Sequence, residues 1–130
     1  MTYSIEGQRR SLKVEINNET GEFLFAGVSL PENTNAFFEP ILDIIHEYLK
    51  NPQEKTTINF YVEYLNTSSA LYLRRIVMTC EDVLGKDKLE VNWHFEKDDE
   101  DIRDFGEDFK SIFKEIAINL IEISQNPYAV

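Results

Sequence analysis

Between Ile58 and Phe95 the spacing of apolar residues changes period twice, and this double change limits the possible folds more than any other feature of the chain. Ile58, Phe60, Val62 and Tyr64 fall at every second position, with Asn59, Tyr61 and Glu63 between them, as in a strand with one dry face. Leu73, Ile76, Val77, Cys80 and Leu84 then recur at helical spacing, and Gly85 is the residue type that closes a helix. Leu89, Val91, Trp93 and Phe95 return to alternation against Glu90, Asn92, His94 and Glu96. Two strands separated by a helix form a parallel pair through a right-handed crossover.

The flanking segments extend this unit. Leu12, Val14 and Ile16 alternate with Lys13, Glu15 and Asn17, and the turn residues at 17–21 lead into a second strand over 23–29, which predicts a hairpin. Residues 31–35 form a loop rich in helix caps, followed by Phe37, Ile41, Ile44, Ile45 and Tyr48 at helical spacing, ending near Asn51 and Pro52. Pro40 fits this helix only near its start or at a kink, because it lacks a backbone donor. The acids at 98–101 precede Ile102, Phe105, Phe109 and Ile112, spaced as a third amphipathic helix with its acids where the dipole favours them. Residues 116–123 suit either a closing strand or a helical continuation, and their β-branched enrichment favours the strand.

Strands with one polar face argue against a doubly wound sheet, whose strands are apolar throughout. The expected architecture is therefore an α/β two-layer sandwich: a mixed sheet of four to five strands with helices mainly on one face. Neither a repeat nor a linker divides residues 1–130, which read as one domain.

Apolar residues make up 42% of the chain, enough for a folded core, while the net charge is −11. Such acidity disfavours nucleic acid and anionic membrane as ligands and favours basic protein partners. No segment approaches the ~20 apolar residues of a membrane span, and the N-terminus shows no signal-peptide pattern. The lone cysteine, Cys80, lies on the apolar side of its helix and reads as a core thiol in a reducing cytoplasm.

Asn66-Thr67-Ser68-Ser69 stands where alternation ends and the helix begins. Each of these residues can serve as an N-cap, a role worth about 1 kcal/mol. Three consecutive hydroxyls exceed what capping needs, and they lie at the carboxyl end of a strand, the edge where α/β folds place sites. A phosphate on Thr67 would add about −1.5 to −2 charge at a positive helix end, where it is tolerated. Asn66, Ser68 and Ser69 would shape the turn and cap, with Tyr64, Leu71, Arg74 and Arg75 as the adjoining partner surface.

Catalysis is disfavoured. His46 lies in a helix and His94 in a strand, no Gly-x-Ser-x-Gly elbow is present, and no Walker-type phosphate loop exists. Trp93 and His94 are further partner-facing candidates, His94 on the more polar strand face. The acidic run from Glu96 to Asp108 lacks the spacing of an EF-hand and its central glycine. It reads as a solvated helix start or as a docking patch including Asp99 and Asp101. No metal or other cofactor is expected.

Five pieces in order resemble the SiaC family of bacterial regulatory phosphoproteins. They are Gly27-Val28-Ser29-Leu30-Pro31-Glu32-Asn33; Phe38 with Pro40; Tyr64-Leu65-Asn66-Thr67-Ser68-Ser69; Trp93-His94-Phe95; and Asp98-Asp99-Glu100-Asp101 with Gly106-Glu107-Asp108. The resemblance implies a fold similar to the STAS domains of anti-sigma-factor antagonists and reversible phosphorylation of Thr67. It further implies a protein kinase of the anti-sigma type, a PP2C-type phosphatase, and a diguanylate cyclase that the unphosphorylated form binds and activates, raising cyclic di-GMP and promoting biofilm. The alternative is a constitutive acidic interaction module of the anti-sigma-factor-antagonist type.

Overall fold

Asn17 turns the chain back on itself: its Oδ1 accepts from the N–H groups of Glu19 (2.9 Å) and Thr20 (3.2 Å), and Gly21 N–H donates to Asn17 O (2.9 Å). In the computed structural model, which describes residues 2–129, this turn joins β2 (Lys13–Asn17) to β3 (Glu22–Ser29) as an antiparallel pair. The remaining elements are β1 (Thr2–Ile5), α1 (Thr34–Leu49), β4 (Thr56–Leu65), α2 (Thr67–Leu84), β5 (Leu89–Glu96), α3 (Glu100–Ile112) and β6 (Ala117–Ile123). The sheet order is β1-β2-β3-β4-β5-β6, antiparallel from β1 to β3 and parallel from β3 to β6.

Three successive crossovers that advance in one direction with one hand leave their helices on the same side of the sheet. The core accordingly lies between α1, α2, α3 and one sheet face, with Phe23, Phe25, Phe60, Trp93 and Phe109 fully or almost fully buried. The opposite face carries a polar row: Asn119 Nδ2 donates to Asn92 Oδ1 (2.9 Å), and Asn92 Nδ2 to Asn59 Oδ1 (3.1 Å). The two-layer class is as expected, but the sheet has six strands rather than four to five. Residues 117–123 form the closing strand, whereas β1 carries little sequence signal because Thr2, Tyr3, Ser4 and Ile5 bear only a weak, partly exposed alternation.

Each helix following a parallel strand begins with an Asx cap. Asn33 Oδ1 accepts from Ala36 N–H (3.1 Å), Asn66 Oδ1 from Ser69 N–H (2.9 Å) and Asp99 Oδ1 from Ile102 N–H (3.1 Å). All three positive helix ends therefore meet at the carboxyl edge of the parallel strands. Pro40 lies in the second turn of α1, where it cannot donate to the Ala36 carbonyl. Gly85, at φ 75°, closes α2. Cys80 is buried, and that burial pushes its thiol up to about 12, as befits an unreactive core group. Among the described residues no helix is long and apolar enough to cross a membrane.

A bulge corrects one expectation. Gly27 pairs with Val62 but Val28 pairs with Tyr64, so Glu63 is an extra residue in β4 and the alternation slips by one. Tyr64 leaves the dry face and is 57% exposed, and Leu65 takes the buried place. The strand thus presents Tyr64 to solvent just before the switch segment.

Candidate functional site

The three hydroxyls at the start of α2 have separate fates. Ser69 is fully buried; its Oγ donates to Ser29 O (3.2 Å) and accepts from Ser29 Oγ (2.7 Å). Asn66 N–H also donates to Ser29 O (3.1 Å), so the end of β3 holds the first turn of α2 through three bonds. Ser68 is exposed but engaged, donating to Asn66 Oδ1 (3.2 Å) and sharing a hydrogen bond with Thr34 Oγ1 of α1 (2.9 Å). Thr67, the first residue of α2, is exposed, and among the described residues its hydroxyl makes no hydrogen bond. The cap satisfies Ser69 N–H, which leaves the N–H groups of Thr67 and Ser68 without an intrahelical acceptor at the positive end of the helix. Of the three hydroxyls, Thr67 alone combines access, freedom and unpaired donors beside it.

A second set of bonds ties α2 to α1. Tyr72 OH lies 2.6 Å from Asn35 Oδ1 and 2.8 Å from Glu39 Oε2, and Arg75 Nη1 donates to the same Glu39 oxygen (2.9 Å). The Tyr72 hydroxyl, with Arg75 behind it, holds the Glu39 carboxyl below its usual value. Tyr72 also stacks on the buried Phe38, centroids 4.9 Å apart. Neither Ser29 nor Thr34 nor this latch was legible as part of the site, because each reaches α2 from 33 or more residues away.

The partner candidates divide. Leu71 is 57% exposed on α2, and Arg75 is exposed though paired with Glu39. Arg74 is half-buried, and its Nε is buried without a hydrogen-bond partner. Tyr64, Asp99 and Asp101 line one cleft at the end of β4, with Asp99 also serving as the α3 cap.

Trp93 and His94 are not surface residues. Trp93 is fully buried beneath α3, where its Nε1 donates to Ile102 O (2.8 Å). His94 is 8% exposed and stacks on Tyr61 at 3.8 Å, which itself packs edge-on against Tyr128 of the C-terminal segment. The cause is the sheet itself. β4 pairs with β5 only as far as Phe60 and Trp93, beyond which His94 Nδ1 donates to Phe60 O (3.0 Å) and Asn126 Nδ2 to Tyr61 O (2.9 Å). A carbonyl only accepts, so the neutral imidazole carries its proton on Nδ1.

Burial lowers the His94 pKa from its ordinary 6.5, with the Phe60 carbonyl opposing the shift. The folded state prefers the neutral ring, so its contribution is complete above the ordinary value and is lost as pH falls through the lowered one. Denaturation midpoints measured from about pH 7.5 to about pH 5 should show a loss of stability that His94→Gln flattens. An unchanged slope in the variant would rule out this assignment.

Among the described residues no group of three or more His, Cys, Asp or Glu is placed to hold a metal ion.

Residues 5–123 match the family described as SiaC family regulatory phosphoprotein. The chain belongs to the SiaC family. A relative in Pseudomonas aeruginosa (strain UCBPP-PA14), itself uncharacterised, is 24% identical over 107 residues, 82% of this chain and 85% of its own. Among solved structures, SiaC of Pseudomonas aeruginosa in complex with the diguanylate cyclase SiaD, whose activator it is, superposes with TM-score 0.85 at 21% identity, covering 93% of this chain and 99% of that one. Apo-SiaC from the same organism gives 0.83 at 21% identity, covering 93% and 98%. At such identities the likeness establishes that this SiaC-family chain shares the fold.

Proposed function

We propose that this SiaC-family chain is a non-enzymatic switch whose unphosphorylated form binds and activates a diguanylate cyclase and whose acceptor is Thr67. A kinase of the anti-sigma type adds the phosphate, a PP2C-type phosphatase removes it, and the circuit operates in the cytoplasm. The observation that carries the reading is the sorting of the three hydroxyls: Ser69 sealed against Ser29, Ser68 held by Asn66 and Thr34, Thr67 exposed and free. The activator role of the structurally similar SiaC supports the cyclase as the partner class.

The chemistry suits reversible modification. A phosphate of about −1.5 to −2 charge on Thr67 meets the uncapped N–H groups of Thr67 and Ser68, so the fold tolerates it. The three bonds to Ser29 hold the first turn in place, and the message is a change of surface charge rather than a movement of α2. A non-catalytic role agrees with the engagement of His94 by Phe60 and Tyr61, away from any hydroxyl of the switch. No cofactor is needed.

Incubation with the kinase and ATP–Mg should add one phosphate, located on Thr67 by peptide mass, and Thr67→Ala should block it. The phosphorylated chain should bind the cyclase at least about tenfold more weakly, a difference of roughly 1.4 kcal/mol. Phosphate on Ser68 instead, or equal cyclase affinity for Thr67→Glu and Thr67→Ala, would sink the proposal.

A further inference from the structure

Where β4 ends, a cleft of about 560 Å³ opens between that strand and α3. Its floor is apolar: Leu65 and Ile102 are buried, and Phe105 is half-buried. Tyr64, turned outward by the bulge at Glu63, stands at its side. The rim is acidic. Asp101, Asp104 and Asp108 succeed one another along one face of α3, and Glu63 and Asp99 complete the ring.

Asp99 is engaged as the α3 cap, its Oδ1 accepting from Ile102 N–H (3.1 Å), and little neutralises the other rim carboxylates. Among the described residues the rim's single ion pair joins Asp104 to its neighbour Arg103 at 3.7 Å, both well exposed. In a chain of net charge −11 the field over the cleft is strongly negative. That charge excludes several occupants. A second copy of this chain would bring the same acids and the same net charge, nucleic acid would be repelled, and a lone cation would leave the apolar floor uncovered.

The spacing of the rim points to the shape of the occupant. Carboxylates one turn apart on α3 match Lys or Arg side chains one turn apart on a helix lying beside it, while that helix's apolar stripe covers the floor. We propose that this cleft is a docking groove for a basic amphipathic helix of a partner protein, with its cations on Asp101, Asp104 and Asp108 and a large apolar residue on Leu65, Ile102 and Phe105. A phosphate on Thr67 has the same sign as the rim and does not repel such a helix. The groove is therefore an anchor available in both states of the switch, and the inference stands apart from the phosphorylation reading.

The test uses the full chain and a designed helical peptide of about 16 residues, with Lys and Arg along one side and Leu and Trp along the other. Amide chemical-shift changes should centre on Leu65, Ile102 and Phe105. Affinity should fall about tenfold between about 50 and about 300 mM salt. The double variant Asp101→Lys and Asp108→Lys, both on an exposed face, should weaken binding at least tenfold at low salt. A peptide with its Leu residues changed to Ser should fail to bind, and Thr67→Glu should bind the original peptide as the parent chain does. Shifts centred elsewhere, no binding at about 1 mM peptide, equal binding by the charge-reversed variant, or equal binding of the Ser peptide would each overturn the proposal. A loss of binding in Thr67→Glu would overturn the independence of groove and switch.

Discussion

Replacing Trp93 by Ala is expected to lower folding stability by roughly 3–5 kcal/mol, enough to leave a substantial part of a marginal domain unfolded at physiological temperature. Trp93 is fully buried, lies 5.2 Å from Phe60 and 5.0 Å from Phe109 between ring centroids, and donates its indole N–H to Ile102 O. The side chain therefore joins β4, β5 and α3, and its removal leaves a cavity and takes away the indole hydrogen bond that ties β5 to the first turn of α3. Gly106 shows how closely α3 sits on it: a Cβ there would come within 2.5 Å of Trp93 Cδ1. Urea unfolding is the measurement, with Trp93→Phe as the milder control that retains most of the volume but not the hydrogen bond. A loss below about 0.5 kcal/mol for Trp93→Ala would mark the residue as superficial and restore it to the partner surface.

Gly21→Ala is the second large effect, at about 2–4 kcal/mol, and it acts at the opposite end of the sheet from the switch. The backbone there has φ 77°, a region that L side chains rarely adopt, and a Cβ would meet Lys55 O at 2.5 Å and the Tyr48 hydroxyl at 2.9 Å. Those neighbours have no slack. Gly21 O accepts from Thr57 N–H (2.9 Å), and Tyr48 OH is held by Thr56 Oγ1 (2.7 Å) and Gln53 N–H (3.1 Å). Thermal unfolding should show the loss, while phosphate acceptance at Thr67 by the surviving folded fraction should be unaltered. A substitution that left the melting temperature unchanged would disprove the close approach.

The elements that organise the site were legible because they rest on local periodicity. The change of period after Tyr64 placed the start of α2 among Asn66–Ser69, where the helix begins at Thr67, and the acids at 98–101 placed the start of α3, which begins at Glu100. What was not legible depends on registration between distant strands. The bulge at Glu63, which exchanges Tyr64 for Leu65 in the core, is set by pairing with Gly27 and Val28 and leaves no mark on the alternation of β4 itself. His94 occupies the polar face as its position in the alternation predicts, yet the separation of β4 from β5 and the arrival of Asn126 and Tyr128 bury it. Trp93 belongs to the apolar alternation, and that periodicity was the better guide to its place than its neighbourhood in a family motif. Ser29 and Thr34, the partners that single out Thr67 from its neighbours, carry no periodic signal at all.

The order of strands in the sheet repeats their order in the chain. Every strand from β2 onward finds its neighbour already synthesised, so the sheet can grow from one edge as the polypeptide leaves the ribosome, with no place held open for a later segment. The last additions are β6 and the segment bearing Asn126 and Tyr128, which reach back to β5 and β4. Until they arrive, β5 is a bare edge and Tyr61, stacked on His94, lacks the cover of Tyr128. A chain released without the residues from 117 onward should thus still hold Thr67 in its helix while β5 stays open to strand pairing with other chains, a state in which its abundant carboxylates keep neighbours apart.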